Sequence, residues 1–334
     1  MKTKKINELQ QYLTERKFSQ IFVLTDENTS KYALPILLEK VDEISDAQAS
    51  LLELPCGEKY KSLESARDLC LSLLESNADR NSVLISLGGG VITDIGAFVA
   101  SIYKRGIQNI NLPTTLLAMT DAAIGGKTGV NLGQIKNAVG TFNADSVTFV
   151  DTEFMLTLNE RELLGGMAEM IKTFLVGDKI YLEKILKTKD LSEINEDLIF
   201  RCIEIKEEIV SGDFYDNGER KKLNFGHTLG HAFESLFLDR EDAEPLSHGH
   251  AVAIGMFYAL KLSEKKFGTD FSSVRSFLES RYAIPNMAEC FKDLIPYILN
   301  DKKSKEGKMR FVLLKEVGNA VIDVEIETEE IARL

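Results

Sequence analysis

Val83-Leu84-Ile85-Ser86-Leu87 runs without a break into Gly88-Gly89-Gly90, and Val91-Ile92-Thr93-Asp94 follows with apolar residues at helical spacing. A short apolar run, a glycine turn and a helix start form the βα layout that can cradle a pyrophosphate. Glycines let the backbone approach closely, and the first turn of a helix offers unpaired N–H groups and the positive end of its dipole. The spacing is GGGxxxD and not GxGxxG, so the dinucleotide fingerprint itself is absent. A tight βα turn that serves packing alone remains the competing interpretation.

Working outward, strand-like runs at Ile21–Leu24, Leu51–Leu54, Ile107–Leu112 and Val147–Val150 flank this turn. Helical patterns at Ser62–Ser76 and Val91–Lys104 lie between them. Such alternation predicts an α/β domain with a mainly parallel sheet. After Asp151 the pattern turns mostly helical, at Glu160–Leu175, Glu196–Ser211, His227–Phe237 and His248–Phe267, with one glycine-turned β-hairpin expected over Arg310–Val324. The fold expected is therefore a Rossmann-like nucleotide-binding α/β domain at 1–150 and a mainly helical domain at 151–334.

Composition narrows the function. A net charge of −12 argues against a nucleic-acid binder, which needs a basic surface. No run of about 18 apolar residues is present, and the basic N-terminus MKTKKINELQQYL lacks the apolar segment of a secretory signal, so neither a membrane span nor export is expected. Cys56, Cys70, Cys202 and Cys290 stand far apart, without a CxxC motif, and read as reduced thiols of a cytoplasmic protein.

Three further segments carry chemistry. Asp121-Ala-Ala-Ile-Gly125-Gly126-Lys127-Thr128-Gly129 lacks P-loop spacing, but Lys127 can meet a phosphate as a point charge. All four histidines fall between 227 and 250, and His227 and His231 share a helix face in NFGHTLGHAFE. Taken alone, the HxxxH pair reads as two metal ligands, with His248 and His250 close behind. In GGMAEMIK, Glu169 and Lys172 stand three apart among apolar residues, as either a surface ion pair or part of a site.

The segments LGGGVITDIGAFVASIYKRG, LPTTLLAMTDAAIGGKTGVN, KNAVGTF, GGMAEMIK, RKKLNFGHTLGHAFE, LSHGHAVAIGM and DKKSKEG, in this order over roughly residues 20–320, resemble the 3-dehydroquinate synthases among the sugar-phosphate cyclases. The resemblance implies an NAD-dependent enzyme that also needs a divalent metal, zinc or cobalt. Its metal ligands would be Glu169, His227 and His248, which replaces the HxxxH reading. NAD would contact Asp26, Asn28, Glu58, Lys61, Gly89, Gly90, Asp94, Thr114, Thr115, Lys136, Phe154, Thr157 and Leu158. Asp121, Lys127, Asn137, Lys172, Lys206, Arg220, Asn224 and His231 would line the substrate pocket, joined by one of Lys302 or Lys303, with Lys302 preferred. Arg105 would reach the partner's site in a homodimer. Two departures stand out: His250 replaces a glutamate, and Phe214 replaces an acidic residue before Arg220.

The implied reaction converts 3-deoxy-arabino-heptulosonate 7-phosphate into 3-dehydroquinate and phosphate. It runs through transient oxidation by NAD, β-elimination of phosphate, re-reduction and aldol closure. A substrate that carries both a carboxylate and a phosphate suits a local basic set, Lys127, Lys206, Arg220 and Lys302, within an acidic chain. The competing functions are another sugar-phosphate cyclase, a metal-dependent polyol dehydrogenase that releases NADH at each turnover, and a non-catalytic NAD-binding protein.

Overall fold

The computed structural model describes residues 3–45, 49–133, 135–240, 244–300 and 308–334. The chain divides into two compact units, Met1–Leu163 and Leu164–Leu334.

The first unit is built on a six-stranded, all-parallel sheet. Its strands are β1 (Thr3–Lys5), β2 (Ile21–Asp26), β3 (Ala49–Leu54), β4 (Val83–Gly88), β5 (Gln108–Pro113) and β8 (Val147–Val150), in the order β1-β8-β5-β4-β2-β3. A small antiparallel hairpin, β6 (Val130–Leu132) and β7 (Ile135–Val139), lies apart from it. The helices are α1 (Leu9–Arg16), α2 (Glu27–Tyr32), α3 (Leu34–Lys40), α4 (Asp42–Ser45), α5 (Leu63–Glu75) and α6 (Gly90–Ile102). Every residue of β4 is buried, as the continuous apolar run of a central parallel strand requires. Phe22, Leu24, Leu84, Ile95, Phe98, Val99, Leu69 and Leu73 form the core around it. Each such fully buried side chain is worth about 1.5–3 kcal/mol. Gly96 lets α6 lie close on the sheet, because a Cβ there would stand 2.0 Å from the Ser86 hydroxyl.

The chain steps from β2 to β3 on one side, then crosses back to β4 and onward to β5 and β8. The strand order therefore reverses between β2 and β4. In open α/β sheets this switch point is where ligands bind, at the carboxyl ends of the strands. Asp26 ends β2 there, and Gly88-Gly89-Gly90 ends β4.

The second unit is helical apart from one hairpin. The division falls within the first turns of α7 (Glu160–Gly177), and α8 (Lys179–Ile185), α9 (Glu196–Gly212), α10 (His227–Asp239), α11 (His248–Phe267), α12 (Ser272–Arg281) and α13 (Met287–Asn300) follow. β9 (Lys308–Glu316) and β10 (Asn319–Glu327) pair antiparallel around Gly318, and α14 (Thr328–Ile331) ends the chain. The expected strands, helices and hairpin are all present. The sequence patterns missed β1 and β6, of three residues each, and β7, whose mostly exposed residues show no apolar alternation.

α10 and α11 touch backbone to backbone. A Cβ on Gly255 would stand 1.9 Å from the Gly226 carbonyl oxygen and 2.6 Å from the Gly230 nitrogen. A Cβ on Gly249 would stand 2.1 Å from the Gly165 carbonyl oxygen, so α11 also lies directly on α7. These contacts bring three histidine and carboxylate-bearing helices together.

Candidate active site

Glu169 and Lys172 occupy one face of α7, and their side chains are 0% and 1% exposed. The surface ion pair weighed from sequence is therefore excluded. The Lys172 ammonium contacts Glu169 Oε2. Burying two charges costs several kcal/mol per ion, and mutual attraction offsets this only in good geometry. The other carboxylate oxygen, Oε1, faces two imidazoles: His227 Nε2 at 3.8 Å and His248 Nε2 at 3.5 Å.

Both rings are held from behind. His227 Nδ1 lies 3.2 Å from the Phe225 carbonyl, and His248 Nδ1 lies 3.4 Å from Glu234 Oε2. Their Nε2 atoms are left facing the same oxygen, with the outer nitrogens fixed by acceptors, as in metal sites generally. Ligands bonded at about 2.0–2.2 Å in a tetrahedron stand about 3.3–3.6 Å apart. The spacing around Glu169 Oε1 is close to that, so these donors fit a divalent ion. Burial first, and then the Lys172 ammonium, hold the His227 imidazole well below its ordinary pKa, leaving it neutral. Burial also opposes charge on His248, but its contacts with Glu169 and Glu234 outweigh this and lift it to about 10.

His231 competes for the same role. One donor atom from each of His227, His231 and His248 lies within 4.8 Å of the others. The three rings form a triangle with centroids 5.2, 5.4 and 5.7 Å apart. His231 is the exposed member of the three. His250 is turned elsewhere: its Nδ1 lies 2.8 Å from the Ser247 hydroxyl and its ring meets Tyr282 edge-on. Burial pushes the Tyr282 phenol far up, so it keeps its proton and donates to the Leu164 carbonyl at 2.8 Å.

The remaining sequence-expected residues of this unit are Lys206, Arg220 and Asn224. Lys206 and Arg220 are 6% and 4% exposed. Arg220 Nη1 donates to the Phe214 carbonyl at 2.6 Å. At the position where the resemblance implies an acidic residue, the Phe214 backbone carbonyl thus accepts from the guanidinium. Asp213 gathers the backbone N–H groups of Asn217, Gly218 and Arg220, and these donors hold its carboxyl below the usual range. Lys302 and Lys303 lie outside the described residues.

In the first unit, Gly89 caps α6 and Gly90 opens it. Thr114 donates its backbone N–H to the Gly88 carbonyl at 3.0 Å, and Thr115 packs against Gly89. Buried Lys61 donates to Asp94 at 2.5 Å. Burial raises Asp94, Lys61 draws it back down, and nearby Glu58 and Asp121 push it up. Asn131, which is not among the residues expected from the sequence, ties these groups together. It donates to Glu58 Oε1 at 2.9 Å, its backbone N–H meets the Lys61 carbonyl at 2.7 Å, and its Oδ1 accepts from the Asn137 N–H at 2.9 Å. Its only signal was its place in KTGVN. Asp26 spends its carboxylate capping α2, accepting from Thr29 N at 2.8 Å. Asn28, Arg105, Lys127, Lys136, Asn137 and Thr157 are exposed, and Leu158 is partly so. The Phe154 side chain is wholly buried, which leaves only its backbone for any cofactor.

The family model described as 3-dehydroquinate synthase N-terminal matches residues 51–165, and the C-terminal one matches 166–304. The 3-dehydroquinate synthase of Parabacteroides distasonis is 39% identical over 335 residues, covering 97% of this chain and 93% of that one. That of Pyrococcus abyssi is 40% identical over 289 residues, 86% and 85% of the two chains. A 2-deoxy-scyllo-inosose synthase solved with carbaglucose-6-phosphate, NAD+ and Co2+ superposes with a TM-score of 0.84 at 24% identity, over 99% of this chain and 94% of that one. The 2-epi-5-epi-valiolone synthase of Streptomyces hygroscopicus, solved with NAD+ and Zn2+, gives 0.80 at 23%, with the same coverage.

Proposed function

Because the chain belongs to the 3-dehydroquinate synthase family, we propose a division of labour among its residues for that family's reaction. The enzyme converts 3-deoxy-arabino-heptulosonate 7-phosphate into 3-dehydroquinate and phosphate, and it depends on NAD and a divalent metal. The observation that carries the residue assignment is the convergence of His227 Nε2 and His248 Nε2 on Glu169 Oε1.

Glu169, His227 and His248 would hold the metal, which when bound supplies Lewis acidity toward the substrate's hydroxyl groups. NAD, when bound, supplies a hydride acceptor that is restored within one turnover. Gly89, Gly90, Thr114 and Thr115, with Lys61 and Asp94, would seat it at the sheet's switch point. The neighbouring Asp26, Asn28, Glu58, Lys136, Phe154, Thr157 and Leu158 would complete that seat. In the second unit Lys206, Arg220, Asn224 and His231 would bind the anionic substrate, and Lys172 would keep its ammonium against Glu169. Arg220 suits a carboxylate because its planar fork is already fixed on the Phe214 carbonyl. Asp121, Lys127 and Asn137 are the substrate residues of the first unit. Among the described residues no cysteine is in a disulfide, which supports a cytoplasmic location. Among the described residues, no helix is long and apolar enough to cross a membrane.

The reaction class is tested by following phosphate release and the NADH absorbance band together. Phosphate is expected to accumulate over many turnovers on catalytic NAD+, with no net NADH. NADH growing in step with substrate loss would overturn the cyclase assignment in favour of a polyol dehydrogenase.

A homodimer with Arg105 acting across the interface completes the proposal. Arg105 follows α6 in a short turn at the opposite end of that helix from the glycine turn, is exposed and takes a left-handed φ of 70°. Arg105→Ala and Lys127→Ala enzymes should each be nearly inactive. When the two are co-expressed, hybrid dimers should regain part of the activity, because one site in each hybrid carries both lesions and the other neither. Hybrids confirmed by mass but inactive would place Arg105 in its own subunit's site.

A further inference from the structure

α10 carries more than its histidines. His227, His231 and Glu234 stand at i, i+4 and i+7, so all three occupy one face of this helix. Glu234 is 9% exposed, and its Oε2 reaches His248 Nδ1 on the neighbouring helix at 3.4 Å. His248 meets Glu169 through its other nitrogen. The ring therefore lies between two carboxylates on two different helices, one at each nitrogen. His227 has the same layout, with the Phe225 carbonyl in the place of Glu234.

We infer that Glu234 is a positioning residue for the metal centre, keeping a hydrogen on Nδ1 of His248 and its Nε2 toward Glu169, so that an incoming metal displaces the Nε2 proton alone. A divalent ion can be taken only by an unprotonated ring nitrogen, so the wrong tautomer would turn His248 from a ligand into a barrier. A carboxylate behind the ring also fixes its plane and raises the basicity of the coordinating nitrogen. The backbone serves His227 in this way, because Phe225 lies two residues before it. His248 opens its helix and takes a side chain from α10 instead. This inference rests on His248 being a metal ligand, and the experiment separates the two claims.

Zinc and cobalt are titrated into the metal-free enzyme without NAD or substrate. Affinity is read by chelator competition and by the cobalt absorption spectrum, for wild type, Glu234→Ala and Glu234→Gln. Glu234→Ala should lose about 10–100-fold in metal affinity, the usual cost of removing such a support. Glu234→Gln keeps an acceptor for the Nδ1 hydrogen and should recover most of that loss. Nitrogen NMR of the histidines in the wild-type zinc form should place the His248 hydrogen on Nδ1, a readout that a packing role would leave unmoved. Wild-type affinity in Glu234→Ala overturns the inference, even if that variant unfolds more easily, and so does an Nε2 hydrogen on His248 in the zinc form. Should Glu234→Ala fail to fold, the tautomer measurement on the wild type decides alone. A wild-type enzyme that takes up neither metal would overturn the metal centre itself, and this inference with it.

Discussion

His248→Ala and Glu169→Gln should each weaken zinc or cobalt binding by more than about 100-fold, since loss of an outer-shell support alone costs 10–100-fold. Chelation of the wild type should abolish activity, and either metal should restore it. His231→Ala should cost activity while leaving metal affinity within a few-fold, because His231 is the exposed ring of the cluster and Glu169 Oε1 already faces two imidazole nitrogens. His250→Ala should also leave the metal in place, since that ring is engaged by Ser247 and Tyr282. The measurement is chelator competition monitored by cobalt absorption. If His231→Ala loses the metal while Glu169→Gln keeps it, the ligands are the three histidines, and Glu169 serves only Lys172.

Gly255→Ala should damage stability and metal binding together. In an open helix an alanine would gain about 1 kcal/mol over glycine. Here the added methyl would meet the backbone of α10, 1.9 Å from the Gly226 oxygen and 2.6 Å from the Gly230 nitrogen. Backbone atoms cannot rotate aside, so α10 and α11 must part by more than about 1 Å, and such overpacking typically costs 1–3 kcal/mol. His227 lies on α10 and His248 on α11. Sites of this kind tolerate about 0.5 Å of misplacement. Metal affinity should therefore fall along with a melting temperature lowered by several degrees. Gly212→Ala is the control: it lies at the end of α9 with nothing within 4 Å of the added carbon, and it should be neutral or slightly stabilising. A Gly255→Ala enzyme that melts and binds metal like wild type would show that the close helix contact does not set the site.

The amino-acid sequence by itself determined the local elements and the class of chemistry. The apolar run of β4, its glycine turn and α6 are legible because a buried parallel strand needs a continuous apolar stretch, and the turn after it needs residues without side chains. The ordered motifs named the family, and the clustered histidines announced a metal. The grouping of His227 and His248 with Glu169 was not legible in residue spacing and entered only through the family resemblance. Periodicity places His227 and His231 on one helix face, which favours HxxxH as a ligand pair, but it says nothing about a carboxylate some sixty residues earlier. Only the tertiary contacts of Gly249 with Gly165 and of Gly255 with Gly226 bring α7, α10 and α11 close enough for Glu169 to face His227 and His248. Glu234 and Asn131 stayed hidden for the same reason. A helical glutamate or an asparagine in a short strand looks in sequence like many others, and only its place beside a particular imidazole, or among particular backbone groups, gives it a part to play.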